Sequence, residues 1–190
     1  MLAVGGWSRD PLRMVQLRTV ASADLAVADL QAVRRLLNEA FEGRLTQDDW
    51  QHALGGLHIL VLEGRGVVAH AAVVGRTLIA QGRQLTTGYV EAVATRPDRR
   101  LRGRATLVMR EAGRIIEQGY QLGALSTARR GFYERFGWVH WQGPTFVASP
   151  LGPVRTPDDD DSVMVLRTPA TGDLDLSAPL TCDWRQGDVW

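Results

Sequence analysis

An α/β chain built on a mixed, mostly antiparallel sheet flanked by helices is the fold class that three features of the sequence predict. The first is element order: the apolar patterns run strand, helix, helix, three strands, helix, strand, helix, two strands. The second is Gly64-Arg65-Gly66 between two long apolar runs, which is hairpin chemistry. The third is Arg100-Leu-Arg-Gly-Arg-Ala105, which follows a strand and opens a helix. A sheet covered by helices is the economical way to bury the apolar faces of such a series.

Taken in order, Val15–Val20 alternates as a strand. Ser22 and Asp24 offer an N-cap, and Leu25, Leu30, Val33, Leu36, Leu37, Ala40 and Phe41 then recur at helical spacing. Thr46 and Asp49 stand in the capping-box relation, with Trp50 and Leu54 on one face and Gly55-Gly56 as the stop, so a short second helix follows. Leu57–Glu63 and Val67–Ile79 are the two hairpin strands, and Gly82 turns the chain into a third strand, Leu85–Thr95. Beyond the arginine-rich stretch come a helix at Thr106–Gln118, a strand at Gln121–Leu125, a helix near Ala128–Phe136 and one strand over Trp138–Val147. Pro144, Pro150, Pro153 and Pro157 break up the connection to a last strand, Val163–Leu166. Residues 1–14, with Gly5, Gly6 and Pro11, read as a flexible tail, and Met14 is a second candidate start. Residues 15–190 carry no linker or internal repeat and read as one domain.

Composition narrows the function classes. A chain of 190 residues with 45% hydrophobic content supplies one sizeable core. Its 22 basic and 21 acidic residues leave a net charge of +1, so the whole-molecule field does not draw nucleic acid, six tryptophans notwithstanding. No apolar run reaches the roughly eighteen residues of a membrane helix, and no signal-peptide core is visible. A cytoplasmic protein with neither nucleic acid nor membrane as partner is expected. Cys182 is the sole cysteine, with no neighbouring base in sequence, and His52, His58, His70 and His140 are scattered without acidic or cysteine partners at ligand spacing. No metal is expected, and the histidines read as packed or exposed.

The Arg100–Ala105 stretch carries the first chemical signal. A glycine and a small residue at a helix start let backbone N–H groups close around an anion, aided by the helix dipole, and a pyrophosphate fits that cradle. Neither a Gly-Lys-Ser/Thr ending nor a three-glycine dinucleotide fingerprint is present. What remains, Arg-x-x-Gly-x-Ala after a strand, resembles the acetyl-coenzyme A loop of the GNAT N-acetyltransferase superfamily, whose element order the chain shares. The alternative for this stretch alone is a solvated arginine-rich cap. Five further stretches resemble one family within GNAT, the aminoglycoside 2′-N-acetyltransferases: Asp49-Trp50 with Gly55-Gly56, Gly88-Tyr-Val-Glu91, Tyr120–Ser126, Arg155-Thr-Pro-Asp-Asp159 and Cys182-Asp-Trp-Arg-Gln-Gly-Asp-Val-Trp190. The resemblance runs from about Val15 to the last residue. It implies the GNAT fold, a homodimer, and direct acetyl transfer from acetyl-CoA to the 2′-amine of a polycationic amino sugar, with antibiotic resistance as the consequence.

Roles follow from that resemblance. Arg100, Leu101, Arg102, Gly103, Arg104 and Ala105 would hold the pyrophosphate, and Val93, Ala94 and Thr95 the pantetheine arm. The N–H of Val93 would face the thioester oxygen as its charge develops. Glu91 is an acid inside an apolar strand, where it must face solvent, a cation or a site; the family reading makes it a general base acting through water. Tyr133 would be the general acid for the departing thiolate, although a core tyrosine beside Phe132 and Phe136 is an equal reading of the sequence. Asp49, Asp158, Asp159, Asp188, Ser126, the backbone at Ala92 and the carboxylate of Trp190 would line the amine site, the alternative for Asp158–Asp161 being a solvated acidic loop. Two positions depart from the family pattern: Arg44 stands where an acid is expected, and Ala92 where glycine is. Acetylation of another amino sugar or polyamine, or an idle drug- or CoA-binding protein, are the competing functions.

Overall fold

The computed structural model describes residues 15–64 and 66–190; the segment 1–14, expected as a tail, lies outside the described residues. The elements are β1 (Val15–Ala21), α1 (Val27–Ala40), α2 (Gln47–His52), β2 (Leu57–Glu63), β3 (Gly66–Ala80), β4 (Arg83–Thr95), α3 (Arg104–Gly119), β5 (Leu122–Ser126), α4 (Arg130–Glu134), β6 (Val139–His140), β7 (Thr145–Val147), β8 (Val154–Arg155), β9 (Val163–Arg167) and β10 (Leu180–Cys182). All ten strands belong to one sheet. Among the described residues only the pairs β4–β5 and β7–β10 are parallel, so the mixed, mostly antiparallel prediction holds.

β3 organises the sheet. β4 runs antiparallel along its whole length on one side, while the other side is shared by β2 near the start and β10 near the end. Strand periodicity then sorts side chains between layers. Ile59, Val61, Ala71 and Val73 face α3 through Val108, Met109, Ala112 and Ile116, whereas Leu60 and Val67 face Val33, Leu36 and Leu37 of α1 and Trp50 of α2. Gly88 permits a close approach on the α3 side: a Cβ there would lie 2.8 Å from Ile116 and 2.9 Å from Tyr120.

Three local expectations are corrected. Ser22 and Asp24 form a short 3₁₀ turn instead of capping α1, whose N-cap is Ala26 without a side-chain bond. The Ser22 hydroxyl is drawn instead into contacts with Gly55, Gly56 and His58. The single strand expected over Trp138–Val147 is two. Trp141 N–H still donates to Val163, but Gln142 and Gly143 N–H both turn to the Leu176 carbonyl, and Pro144 follows. β6 therefore stays beside β9 while β7 crosses to β10. Finally, α3 starts at Arg104, two residues before the expected Thr106, and the short strands β8 and β10 were not expected at all.

Candidate active site

β4 builds the centre of the site. Its ladder with β3 pairs Glu91 with Ala72 and then Ala94 with His70, so that Ala92 and Val93 together oppose the single residue Ala71. That is a β-bulge, which re-aims backbone groups out of the ladder. Ala92 accommodates it at φ +51°, a left-handed conformation costing an alanine about 1 kcal/mol or more. The conformation gives a physical reason for glycine at this position in the family pattern.

On its other side β4 pairs with β5 only over Thr87–Tyr89 against Leu122–Ala124. From Val90 onward the two strands part, leaving the edge of Val93, Ala94 and Thr95 open. The Thr95 hydroxyl is buried and has no hydrogen-bond partner among the described residues, so it is free to bond a polar ligand or a water. Ala94 is itself packed in the core and offers the edge only its backbone. Val93 packs its side chain against the same core cluster that holds Tyr133. Tyr133 is nine-tenths buried beside Phe132. Burial raises its phenol above the ordinary range against a hydrogen bond with Thr127, so it stays protonated. The core reading of Tyr133, beside Phe132, is therefore realised.

At the phosphate end, Leu101 at φ +61° and Gly103 at φ +73° bracket Arg102, and Gly103 is an N-cap with no side-chain bond. Backbone N–H groups at such a start form a concave anion site. Arg100 and Arg102 are exposed beside it. Arg104 is not: its Nε donates to Glu63 at 2.5 Å, and Arg99 holds the same carboxylate at 2.8 Å. Of the three arginines expected to meet phosphate, Arg104 has its side chain committed to Glu63 and leaves only its backbone for that role.

At the opposite end, the Glu91 carboxylate accepts from Arg185 Nη1, both side chains being only 16% exposed. Arg185 also donates from Nε to the Asp188 carbonyl at 2.7 Å and from Nη2 to the Trp190 main-chain oxygen at 3.0 Å. Trp190 is buried, and its Nε1 donates to Thr156 at 3.0 Å. The segment 184–190 is pinned beside the bulge, with α2 resting on it through His52 Nε2 and the Gln186 carbonyl at 2.8 Å. Asp158, Asp159 and Asp188 gather there, and burial together with the charges of Asp188, Asp158 and Asp160 raises the Asp159 carboxyl. Asp160 belongs to a different circuit: Arg155 holds it down to about 2. Asp49 spends one oxygen on the N–H of Thr46, 2.9 Å away, completing the expected capping box. Ser126 ends β5, exposed, and donates to Ser162 at 2.9 Å. Arg44 lies in solvent with Glu42 as its ion-pair partner.

Sequence reasoning missed Arg185 and Thr156. The signal for Arg185 was present, since a lone acid in an apolar strand demands a cation, but the partner stands 94 residues away. His58 and His70 are both fully buried and joined to each other. Cys182 lies inside β10, its thiol pushed up to about 11 by burial and donating to the Val189 carbonyl. A thiol so held is a poor nucleophile.

The profile of the acetyltransferase (GNAT) domain family matches residues 23–141. The aminoglycoside 2′-N-acetyltransferase of Mycolicibacterium fortuitum is 48% identical over 177 residues, covering 91% of each chain. Among solved structures, the GNAT family N-acetyltransferase YhbS of Escherichia coli in complex with CoA has a TM-score of 0.63 at 18% identity, covering 88% of this chain and 89% of its own. A GNAT family acetyltransferase from Brucella melitensis in complex with acetyl-CoA has a TM-score of 0.59 at 16% identity, covering 88% and 95%. These two show the fold, and the profile and the close relative show the family: the chain belongs to the GNAT acetyltransferases and, within them, to the aminoglycoside 2′-N-acetyltransferases.

Proposed function

We propose that residues 15–190 act as a single catalytic domain that moves acetyl from acetyl-CoA to the 2′-amine of an aminoglycoside, by direct attack in a ternary complex. The observation that carries this reading is the parted β4–β5 edge, which runs between an uncapped, arginine-flanked helix start and the group of carboxylates Asp158, Asp159 and Asp188, which form no ion pair among the described residues. An anion-bearing thioester and a polycation can meet only where two such ends face one strand. Acetyl-CoA supplies the activated thioester. Val93 N–H receives the charge that develops on the thioester oxygen. Glu91, held by Arg185 through Oε1, keeps Oε2 for a water that takes the proton from the attacking amine. Tyr133, kept protonated by burial, gives its proton to the departing sulfur. Asp158, Asp159 and Asp188 grip ammonium groups of the sugar rings, and Asp49, Ser126 and the Trp190 main-chain oxygen complete that wall.

Acetylation removes positive charge and donors from the drug, which weakens its hold on RNA, so resistance is a consequence of the chemistry. Arg44, a cation at a position where the family pattern has an acid, is not itself a ligand residue, and its presence shifts or narrows the range of drugs accepted. The reading includes a homodimer working in the cytoplasm, where acetyl-CoA is available. The test is to record thiol release from acetyl-CoA with aminoglycosides that carry or lack a 2′-amine. Release confined to the 2′-amino compounds is expected. Equal release from compounds without that amine, or release only with simple polyamines, overturns the assignment in favour of another amine; binding without any release indicates an idle binding protein.

A further inference from the structure

The bulge carbonyl that faces away from the open edge has a partner that the reaction scheme does not use. His70 Nδ1 lies 2.9 Å from the Ala92 carbonyl oxygen, His58 Nδ1 lies 2.9 Å from His70 Nε2, and Ser22 Oγ lies 2.8 Å from His58 Nε2. Both imidazoles are fully buried. A carbonyl can only accept, so His70 carries its proton on Nδ1 and presents Nε2 as an acceptor. His58 must then donate from Nδ1 and present Nε2 as an acceptor to the Ser22 hydroxyl, whose single proton is shared between that nitrogen and the Gly56 carbonyl 3.1 Å away, while its oxygen accepts from the Gly55 N–H at 3.0 Å. Burial holds the His70 ring neutral, its pKa lowered to about 3, and lowers that of His58. The hydrogen bonds therefore point in one direction from His58 through His70 into the Ala92 carbonyl.

That carbonyl belongs to the same peptide unit as the Val93 N–H. The described peptide bonds are trans, so within the unit N–H and C=O point in opposite directions. The Val93 N–H accordingly points away from the His70 ring, on a stretch of β4 that β5 no longer pairs. We infer that His70 is a positioning residue for acetyl transfer: its bond to the Ala92 carbonyl fixes the plane of the Ala92–Val93 peptide and polarises the Val93 N–H that stabilises the thioester oxyanion. The inference rests on the proposed role of Val93. Two physical needs make the arrangement more than a satisfied buried pair. Ala92 sits in a left-handed conformation that the ladder does not enforce, and a donor on the carbonyl locks it. A chain of aligned hydrogen bonds in a low-dielectric interior also strengthens its members cooperatively, and the last member is the N–H that meets developing charge.

The test compares His70→Leu with His70→Asn in the full-length protein. Asparagine places an amide N–H near the position of Nδ1, leucine places none, and both lose the bond to His58, so the difference between them isolates donation to Ala92. Expected for His70→Leu is a kcat lower by about tenfold, less than the hundredfold or more for outright loss of an oxyanion donor, with the acetyl-CoA dissociation constant changed by less than about twofold. His70→Asn should recover most of the loss, and the Val93 amide proton resonance should move in the leucine variant and return in the asparagine one. Equal kcat in wild type and His70→Leu, or an asparagine variant as slow as the leucine one, overturns the inference. If His70→Leu does not fold, the wild-type protein labelled with ¹⁵N-histidine and ¹³C-carbonyl alanine decides: a scalar coupling between His70 Nδ1 and the Ala92 carbonyl is required, and its absence sinks the relay. A Val93 amide that ignores acetyl-CoA in the wild type removes the oxyanion assignment itself. A Val93 that responds while kcat is indifferent to His70 removes only the relay.

Discussion

Asp159 shows how a single residue divides its loyalty between stability and binding. Burial and the neighbouring Asp188, Asp158 and Asp160 raise its carboxyl above the ordinary range, so in the folded state the ionised form is disfavoured. A group raised in this way favours the fold most at pH below the ordinary carboxylate range and loses that contribution as pH rises through its folded value. At neutral pH, repulsion within the cluster opposes folding until a polycation arrives. Asp159→Asn should therefore raise the melting temperature at neutral pH by about 1 °C, since exposed charge effects amount to a few tenths of a kcal/mol, and the gain should vanish in thermal melts at acidic pH. The same variant loses a charge-assisted bond to the substrate, and the KM for a 2′-amino aminoglycoside should rise by tenfold or more, on the order of the 1.5–3 kcal/mol such bonds contribute. A variant that is less stable at neutral pH, with an unchanged KM, would return this segment to the status of a solvated acidic loop.

At the level of elements, what the sequence made legible follows the range of the interactions involved. β2, β3 and β4 fall within two residues of expectation because each is long enough for its apolar pattern to repeat, and the α2 capping box is a four-residue signal read locally. β8 and β10 are two and three residues long; β8 is a strand through its pairing with β7, and β10 through its place between β3 and β7, which no periodicity announces. The bulge was equally invisible, since its residues Ala92 and Val93 are ordinary strand formers apart from a backbone angle. Within the site, Glu91, Val93, Asp159, Asp188 and Trp190 were legible through resemblance and lie on converging elements, whereas Arg185, which ties Glu91 to the 184–190 segment, was not. Because three of its donors are engaged, Arg185→Ala should release the segment as a unit. Limited proteolysis should then cut within 184–190 while the remaining domain stays resistant, and kcat/KM should fall by about a hundredfold, as for loss of a buried charge partner worth some 3 kcal/mol. A segment that stays protected, with activity intact, would show that Trp190 and Thr156 hold it unaided.

Across the whole molecule the net charge of +1 conceals a separation. Cationic side chains of Arg100 and Arg102 stand exposed at the start of α3, carboxylates of Asp158, Asp159 and Asp188 collect around the docked segment 184–190, and the bulged edge of β4 lies between them. One end suits an anionic co-substrate, the other a cationic acceptor, and the sheet holds them apart so that neither charge cancels the other. Exposed charges act over about a Debye length, roughly 8 Å at physiological ionic strength, so ends farther apart than that act independently. The double variant Arg100→Ala with Arg102→Ala should then raise the KM for acetyl-CoA by about tenfold, as expected for two exposed phosphate contacts of about 0.5–1 kcal/mol each, while leaving the aminoglycoside KM within twofold. Added salt should raise both constants in the wild type, but in the double variant it should no longer affect the acetyl-CoA constant appreciably. An aminoglycoside KM that moves together with the acetyl-CoA one would mean that the ends are coupled through the bulge and that charge separation alone does not describe how this enzyme assembles its two substrates.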